Sequence, residues 1–258
     1  MNVLIEARTK GPLFATIVRL LSLIADEVNI HVDSNKLFIQ AMDTSHISMF
    51  ELTLDSSWFD KYTFEGTTLV LGVHLATISK ILACRSVNQT IELISRSDSL
   101  DINFESDVSE EVNKYFSTSL YAFDQDLLCV PETEYDVDIK INSSQIHGII
   151  GMLAQFGEVV RISCDETGIT LNNTDTLGTG TKMTATIKME DISEYAIVEG
   201  GKCESVYSLQ CLALFASACK VAVEANIHFT SGLPLYLEYD VSETSTVKFW
   251  VSPRIEDD

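Results

Sequence analysis

Apolar and polar residues alternate along this chain in two periods, one typical of helices and one typical of strands. The apolar positions 17, 20, 21 and 24 follow the helical spacing, whereas 28, 30 and 32 alternate with polar residues. The polar turn Asp33-Ser34-Asn35 comes next, followed by a second alternating segment. The pattern predicts a helix, a strand, a turn and a strand within residues 17–39.

The same order of elements recurs 132 positions later, where residues 149–171 align with residues 17–39 without a gap. Paired positions agree in character, such as Ile17 with Ile149 and Ile30 with Ile162. A looser match relates two further helical stripes, and alternating strands follow each of them. We therefore predict an α+β fold of two similar domains. The expected helices span approximately residues 12–25, 73–85, 142–156 and 207–220.

An extended connector is predicted between the two domains. Its sequence is acidic at both ends and apolar in the middle, and it contains Pro131, which fixes φ and lacks an N–H donor. The expected divisions are residues 1–120 for the first domain, 121–136 for the connector and 137–258 for the second domain. Leu127, Leu128 and Val130 either pack on the connector's own domain or form one wall of a surface groove, and the sequence leaves both readings open.

Composition and charge narrow the class of protein. Of the 258 residues, 46% are hydrophobic, which is enough for a packed core, and 17 basic residues against 38 acidic ones give a net charge of −21. Such a charge opposes nonspecific binding to nucleic acid or to anionic membranes. Without a membrane-length apolar run or a signal-peptide layout, we expect a soluble intracellular protein. The six cysteines form no C-x-x-C pair and are expected to be free thiols.

The sequence carries no recognisable catalytic or metal-binding motif. It has no phosphate-binding loop, no nucleophile elbow and no H-E-x-x-H motif, and the five histidines lie in separate predicted elements. Asp43, Ser45 and His46 are too close in one loop for the base to lie between a nucleophile and an orienting carboxylate. We therefore predict no catalytic residues, no metal and no cofactor.

Several motifs nevertheless resemble one family. The stretch LFIQAMDTSHISMFEL at residues 37–52 closely resembles the signature of the proliferating cell nuclear antigen family, the eukaryotic sliding clamps. Residues 73–82, VPETEY at 130–135, LPLYLEY at 233–239 and WVSPRIED at 250–257 agree in order and position, so the resemblance covers essentially the whole chain. It implies a non-enzymatic homotrimeric ring around duplex DNA, with helices lining the bore and sheets outside.

The resemblance also implies the partners and their sites. The expected partners are duplex DNA without sequence specificity, DNA polymerase, a clamp loader and other replication and repair proteins with a Q-x-x-aliphatic-x-x-aromatic-aromatic motif, in the nucleus or at a viral replication site. The implied client-peptide pocket consists of Met42, His46, Ile47, Leu128, Val130, Pro131, Tyr135, Pro234, Trp250, Val251, Ser252, Pro253 and Ile255. The basic residues on the predicted helices, and hence the expected DNA-facing residues, are Arg19, Lys80, Arg85 and Lys220. Lys80 stands where the family carries a basic residue, whereas Arg19 and Lys220 do not clearly do so. The implied trimer interface consists of Lys114, Tyr115, Phe116 and Ser117 against Gly180, Thr181, Lys182 and Met183 of a neighbour.

Two features depart from the family pattern. Neutral residues occupy helix positions that are basic in the family: Ala15, Thr16, Ser22, Ala83, Gly148, Gly151 and Ser217. We therefore expect weak, salt-sensitive attraction to DNA and dependence on a loader. Glu166 stands where family members often carry a modifiable lysine, so ubiquitin cannot be attached at that position.

Two other functions are compatible with parts of the sequence. The chain could be one subunit of a heterotrimeric checkpoint-type clamp, although Trp250-Val251-Ser252-Pro253 and the intact connector argue against that. An acidic α+β hydrolase with an unrecognised site is the alternative from a different class.

Overall fold

The structure is a computed structural model that describes residues 3–108, 110–174, 178 and 180–255. The chain folds into two compact units. The first comprises Met1–Thr44, Phe50–Cys129 and Val241–Val247, and the second comprises Ser45–Met49, Val130–Asp240 and Lys248–Asp258. The connector residues therefore divide between the units at Cys129 and Val130, and the domain boundaries expected at residues 120 and 137 stay a prediction.

Two helices and two sheets make up most of the first unit. The helices are α1 (Gly11–Leu21) and α2 (Leu75–Leu82). The strands are β1 (Val3–Ala7), β2 (Glu27–Val32), β3 (Lys36–Met42), β4 (Ser48–Asp55), β5 (Lys61–Phe64), β6 (Leu69–His74), β7 (Thr90–Ser95), β8 (Ser99–Glu105) and β9 (Lys114–Ser119). One sheet has the order β5-β1-β7-β8-β9, and β4-β3-β2-β6 are neighbours in the other.

The second unit repeats this plan. Its helices are α3 (Ser143–Leu153) and α4 (Leu209–Ala216). Its strands are β10 (Val137–Asn142), β11 (Val159–Asp165), β12 (Gly168–Thr174), β13 (Thr184–Lys188), β14 (Glu194–Ile197), β15 (Cys203–Ser208), β16 (Glu224–Phe229), and the parts of β17 (Leu235–Ser242) and β18 (Ser245–Val251) outside residues 241–247. The neighbours are β14-β10-β16-β17-β18 in one sheet and β13-β12-β11-β15 in the other. The predicted α+β fold of two similar halves is confirmed.

The apolar stripes read from the sequence form the cores. In α1, Ile17 and Leu21 are completely buried, and the helix packs against α2 of the same unit. In the second unit α3 packs against α4, where Leu153 and Phe215 are completely buried. Strand residues alternate in the same way, so that Ile102 and Phe104 of β8 face the core. Burial of these side chains is the main stabilising contribution to each unit.

The helices are shorter than predicted because strands run directly into them and tight turns end them. Val73 and His74 still belong to β6, and Leu75 begins α2 with its N–H donating to the Asp26 carbonyl. The neighbouring N–H of Ala76 donates to the Asp26 carboxylate at 2.8 Å, and this bond lowers the pKa of that carboxyl. Helix α4 ends at Ala216, where a 3₁₀ turn takes over.

Helix α3 begins at a side-chain cap. The Asn142 side-chain oxygen accepts from the N–H groups of Ser144 at 3.0 Å and Gln145 at 3.2 Å. Asparagine is among the preferred residues at this position because it satisfies N–H groups that have no partner within the helix. The cap fixes where the helix starts.

The first part of the connector crosses the strands of the first unit. The Tyr121 N–H donates to the Gly72 carbonyl of β6 at 2.9 Å, and the Asn29 amide of β2 donates to the Phe123 carbonyl at 3.1 Å. A Cβ on Gly72 would lie 2.1 Å from the Tyr121 carbonyl oxygen, so only glycine permits this approach. Further along, Leu128 is hydrogen-bonded to Gln40 of β3. The connector thus passes over β6, β2 and β3 in turn.

Candidate docking surface and nucleic-acid interface

The connector exposes large apolar side chains in the first unit. Leu127 is 51% exposed and Leu128 is 46% exposed, although large apolar side chains such as leucine are usually buried. This exposure means that neither side chain is fully packed on the connector's own domain, and the wall of a surface groove stays a prediction. Met42, at the end of β3, is also partly exposed.

The second unit joins the loop of residues 45–49 to the C-terminal segment. The Ser252 N–H donates to the Ile47 carbonyl at 2.9 Å, and the Ile47 side chain is 44% exposed. His46 precedes it with φ of 56°, the one positive φ of a non-glycine residue in the part of the chain that the structure describes. This left-handed turn costs about 1–2 kcal/mol outside glycine, so the surrounding contacts hold it in place. The turn presents Ile47 outward.

The C-terminal residues expected in the pocket differ in their exposure. Val251 is completely buried, so its side chain belongs to the core and not to a surface. Ser252 and Pro253 are partly exposed, whereas Ile255 is 92% exposed. The Arg254 N–H donates to the Val206 carbonyl at 2.7 Å and fixes the path of this segment.

An aromatic stack covers one sheet face of the second unit. The rings of Tyr236 and Trp250 are 4.8 Å apart and nearly parallel, and His228 stacks on the other side of Tyr236 at 4.8 Å. Tyr135 lies 6.1 Å from Tyr236 and is hydrogen-bonded to Trp250; burial raises the pKa of its hydroxyl. The Asp138 carboxylate contacts His228 Nδ1 at 2.6 Å.

The stack brings together Tyr135 and Trp250, two residues that the sequence placed in the pocket. Tyr236 and His228 complete it but were not predicted. Their signal was present, because the two residues are directly opposite each other on β16 and β17, on the face away from the core. Pro131 and Pro234 are exposed, and Val130 is partly exposed.

Of the four residues expected to face DNA, three have exposed side chains, and the fourth is hydrogen-bonded within its own loop. Arg19, Lys80 and Lys220 are exposed on or just after their helices. The Arg85 guanidinium instead donates to the carbonyls of Gln89 at 2.7 Å and Val87 at 2.8 Å. Burial lowers the pKa of Arg85. Its main visible role is to hold the loop after α2.

The outward face of α3 is uncharged. Its exposed residues are Ser144, Gln145, Gly148, Gly151 and Met152. A Cβ built on either glycine meets no atom within 4 Å, so this face is open to solvent in the chain. A nucleic acid placed against it would find hydrogen-bonding groups but no cation.

The residues expected at the subunit interface lie at sheet edges. Strand β9 is the last strand of its sheet, with Tyr115 64% exposed and Phe116 packed edge-on against Phe104 at 5.6 Å. Ser117 donates from its hydroxyl to Asp101 at 2.6 Å. Lys114 is held inside the unit, because its ammonium donates to the Cys84 carbonyl at 2.7 Å and to two further acceptors.

The second set lies just before the edge strand β13. Gly180 has φ of 71°, and Lys182 is exposed. Met183 exchanges hydrogen bonds with Asn173 of β12, whose amide also donates to the Thr181 carbonyl at 3.3 Å. Asn173 therefore keeps this segment beside its sheet.

Glu166 has a local structural role. It lies in the turn between β11 and β12, and its carboxylate accepts from the Gly200 N–H at 2.9 Å. In place of a free lysine amine, the turn thus carries an acidic side chain tied to a neighbouring loop.

Metal and membrane chemistry find no support in the described part of the chain. No group of three or more His, Cys, Asp or Glu residues there is placed to hold a metal ion. No described helix is long and apolar enough to cross a membrane.

Comparison with protein families gives two matches that follow one another along the chain. The model for the N-terminal domain of proliferating cell nuclear antigen matches residues 4–127. The model for the C-terminal domain of the same protein matches residues 129–254. The two matches cover nearly the whole chain.

Proposed function

This chain belongs to the proliferating cell nuclear antigen family of DNA sliding clamps, and we propose that it acts as a homotrimer that raises the processivity of a DNA polymerase. The family is a non-enzymatic scaffold in DNA replication and repair. The observation that carries the proposal is the match to both clamp domains, in their order, over residues 4–127 and 129–254. The clamp would work in the nucleus, or at a replication site of a virus if a virus encodes it.

The exposed sheet edges support assembly into a ring. Strands β9 and β13 each end a sheet, and an open edge is a template for pairing with another chain. Val112 is 75% exposed and Tyr115 is 64% exposed beside the β9 edge, so a neighbouring chain that pairs with this edge would also cover both side chains. Pairing the β9 edge of one copy with the β13 edge of the next is a head-to-tail contact. Such contacts form a closed ring when the rotations between successive copies add up to a full turn.

Client proteins would dock through the exposed connector leucines and the C-terminal aromatic stack. In the first unit, Leu128 presents an exposed apolar side chain. In the second unit, Ile47 is exposed and the Trp250 ring stacks on Tyr236. An aliphatic residue and two aromatics gain most from such surfaces, since each buried large side chain contributes about 1.5–3 kcal/mol. DNA polymerase and the clamp loader are the expected carriers of the motif.

The clamp would hold DNA by enclosing it more than by attracting it. The α3 face lacks charge, Arg85 is engaged in its own loop, and the whole chain carries a net charge of −21. Phosphate attraction depends on lysine and arginine, so it is weak here. A loader that opens and closes the ring supplies the enclosure.

Sedimentation and primer extension test the clamp directly. At micromolar concentration the purified chain should sediment near three times 28.6 kDa and, with a clamp loader, should lengthen the products of a cognate polymerase. A single-chain mass that persists at this concentration contradicts the homotrimer and favours a subunit of a heterotrimeric checkpoint-type clamp. Unchanged product length with a functional loader contradicts the processivity role.

Replacing two connector residues tests the docking surface. In Leu128→Ser/Val130→Ser, calorimetric binding of a client-motif peptide should weaken by about a hundredfold or more, because two apolar contacts are lost. Val87→Ser removes an 84% exposed apolar side chain elsewhere and should bind the peptide normally. The trimer mass should stay unchanged in both variants. Equal peptide affinity in all three proteins would refute the docking site.

A further inference from the structure

Two buried amide side chains hold the connector onto the first unit. Asn29 is 6% exposed and Gln40 is 9% exposed, although both lie on strands among apolar neighbours. A buried amide without partners is costly, so the bonds that it makes indicate what it stabilises. Asn29 donates to the Phe123 carbonyl, and Gln40 bonds to Leu128.

The Gln40 side chain bonds the main chain of Leu128 in the way that a neighbouring β-strand would. Its Nε2 donates to the Leu128 carbonyl at 3.0 Å, and its Oε1 accepts from the Leu128 N–H at 2.6 Å. Both main-chain polar groups of one connector residue are thus satisfied by a single side chain. The N–H and carbonyl of a residue in extended conformation point sideways, so the Leu128 side chain is free to stand away from the bond. It is 46% exposed.

Glu51 fixes the orientation of the Gln40 amide. The Gln40 Nε2 also donates to the Glu51 carboxylate on β4 at 2.7 Å. Because a carboxylate only accepts, the amide nitrogen must face Glu51, and the amide oxygen is left to accept from Leu128. A flipped amide would put its oxygen against the carboxylate. The three groups therefore form a satisfied network with one arrangement.

We propose that Gln40, oriented by Glu51 and assisted by Asn29, is a positioning residue that presents Leu128 to client proteins. This rests on the proposed docking function. Residues 124–127 lie between the two attachment points and are exposed. Tyr121, Phe123 and Gln125 would stay attached without Gln40, but the segment around Leu128 would have to be ordered by the client itself. The entropy of that ordering would weaken binding.

Gln40→Met tests the idea with little change in side-chain volume. We expect client-peptide affinity to fall by about tenfold, as the loss of two hydrogen bonds would cause, with the trimer mass unchanged. Hydrogen exchange of the Leu128 amide should accelerate, while exchange in β7 and β8 should not. Asn103→Leu, which removes an amide bonded to Glu92 in the same unit, should leave both the affinity and the exchange of the connector unchanged.

A pair of charge variants separates positioning from general stability. In Gln40→Glu the new carboxylate cannot donate to Leu128 and repels Glu51, so peptide affinity should fall at least as far as in Gln40→Met. Adding Glu51→Gln restores a donor between positions 40 and 51 and should recover part of the affinity. No recovery in the double variant would show that Glu51 does not orient the network.

The results distinguish this proposal from the docking function. If Leu128→Ser abolishes peptide binding while Gln40→Met binds normally, the docking site stands and the positioning role is overturned. If Leu128→Ser also binds normally, the docking site itself is wrong. Faster exchange throughout the first unit in Gln40→Met would show a structural role only and would equally overturn the proposal.

Discussion

The uncharged face of α3 gives the sharpest prediction about DNA. Gly148 and Gly151 are exposed within the helix, and a Cβ at either position meets no atom within 4 Å. Their replacement by lysine therefore causes no clash. It adds two cations per subunit, and three times that number in the proposed trimer, to a face that has none.

Replacing the two glycines should also stabilise α3. Glycine within a helix costs about 0.5–1 kcal/mol relative to alanine, and lysine has a helix propensity close to that of alanine. Gly148→Ala/Gly151→Ala should therefore raise the free energy of unfolding by about 1–2 kcal/mol, and the double lysine variant should come close to this value. Urea denaturation followed by circular dichroism measures the change.

The two variants should differ in DNA binding. Each additional phosphate contact makes the plot of log K against log salt steeper by about 0.9. The lysine variant should thus bind linear duplex more tightly than the wild type at low salt and show a steeper slope, whereas the alanine variant should match the wild type. Fluorescence anisotropy over a series of salt concentrations gives both quantities. Equal slopes in all three proteins would refute the placement of α3 against DNA.

Arg85, Asp26 and Cys164 each have surroundings whose effect can be measured in solution. Arg85→Met should lower the free energy of unfolding by about 2 kcal/mol in urea titrations, because its charge-assisted bonds to loop carbonyls are lost. The hydrogen bond from the Ala76 N–H lowers the pKa of Asp26 below 3.8. The ionised Asp26 therefore stabilises the folded protein above pH 3.8, and this stabilisation is lost as the pH falls through the lower pKa of the folded state. In Asp26→Asn, the free energy of unfolding should depend less steeply on pH in this acidic range. Burial raises the pKa of Cys164 to about 12, so alkylation at pH 8 followed by mass spectrometry should modify the exposed Cys84 and Cys129 first and leave Cys164 unmodified.

The fold could be predicted from the sequence because its signal is repeated and local. The helical stripe near Ile17 and the alternation near Ile30 recur in the second half, and both copies form the expected elements. The helix ends could not be placed, because no glycine or proline separates β6 from α2 at His74 and Leu75. There the boundary depends on Asp26, which is far away in sequence.

The site was less predictable, because several of its contacts join distant residues. Gln40 and Leu128 are 88 positions apart, and nothing in a mostly apolar strand indicates which segment its amide will bond. Arg85 was misjudged for a local reason. Its residue type suggested a cation available to DNA, but its guanidinium is hydrogen-bonded to nearby carbonyls. The residue lists for the pocket and the subunit interface came from family resemblance and stay predictions.

The internal bonding of Lys114 has a consequence for the proposed seam between subunits. Once its ammonium is held by Cys84 and its neighbours, the residues left exposed along β9 are Tyr115, Ser117 and Ser119, all of them uncharged. Main-chain pairing and buried apolar area do not depend on mobile counterions in the way that exposed ion pairs do. The β9 side should therefore add little salt dependence to assembly, and any dependence on ionic strength should come from the opposite edge, where Lys182 is exposed.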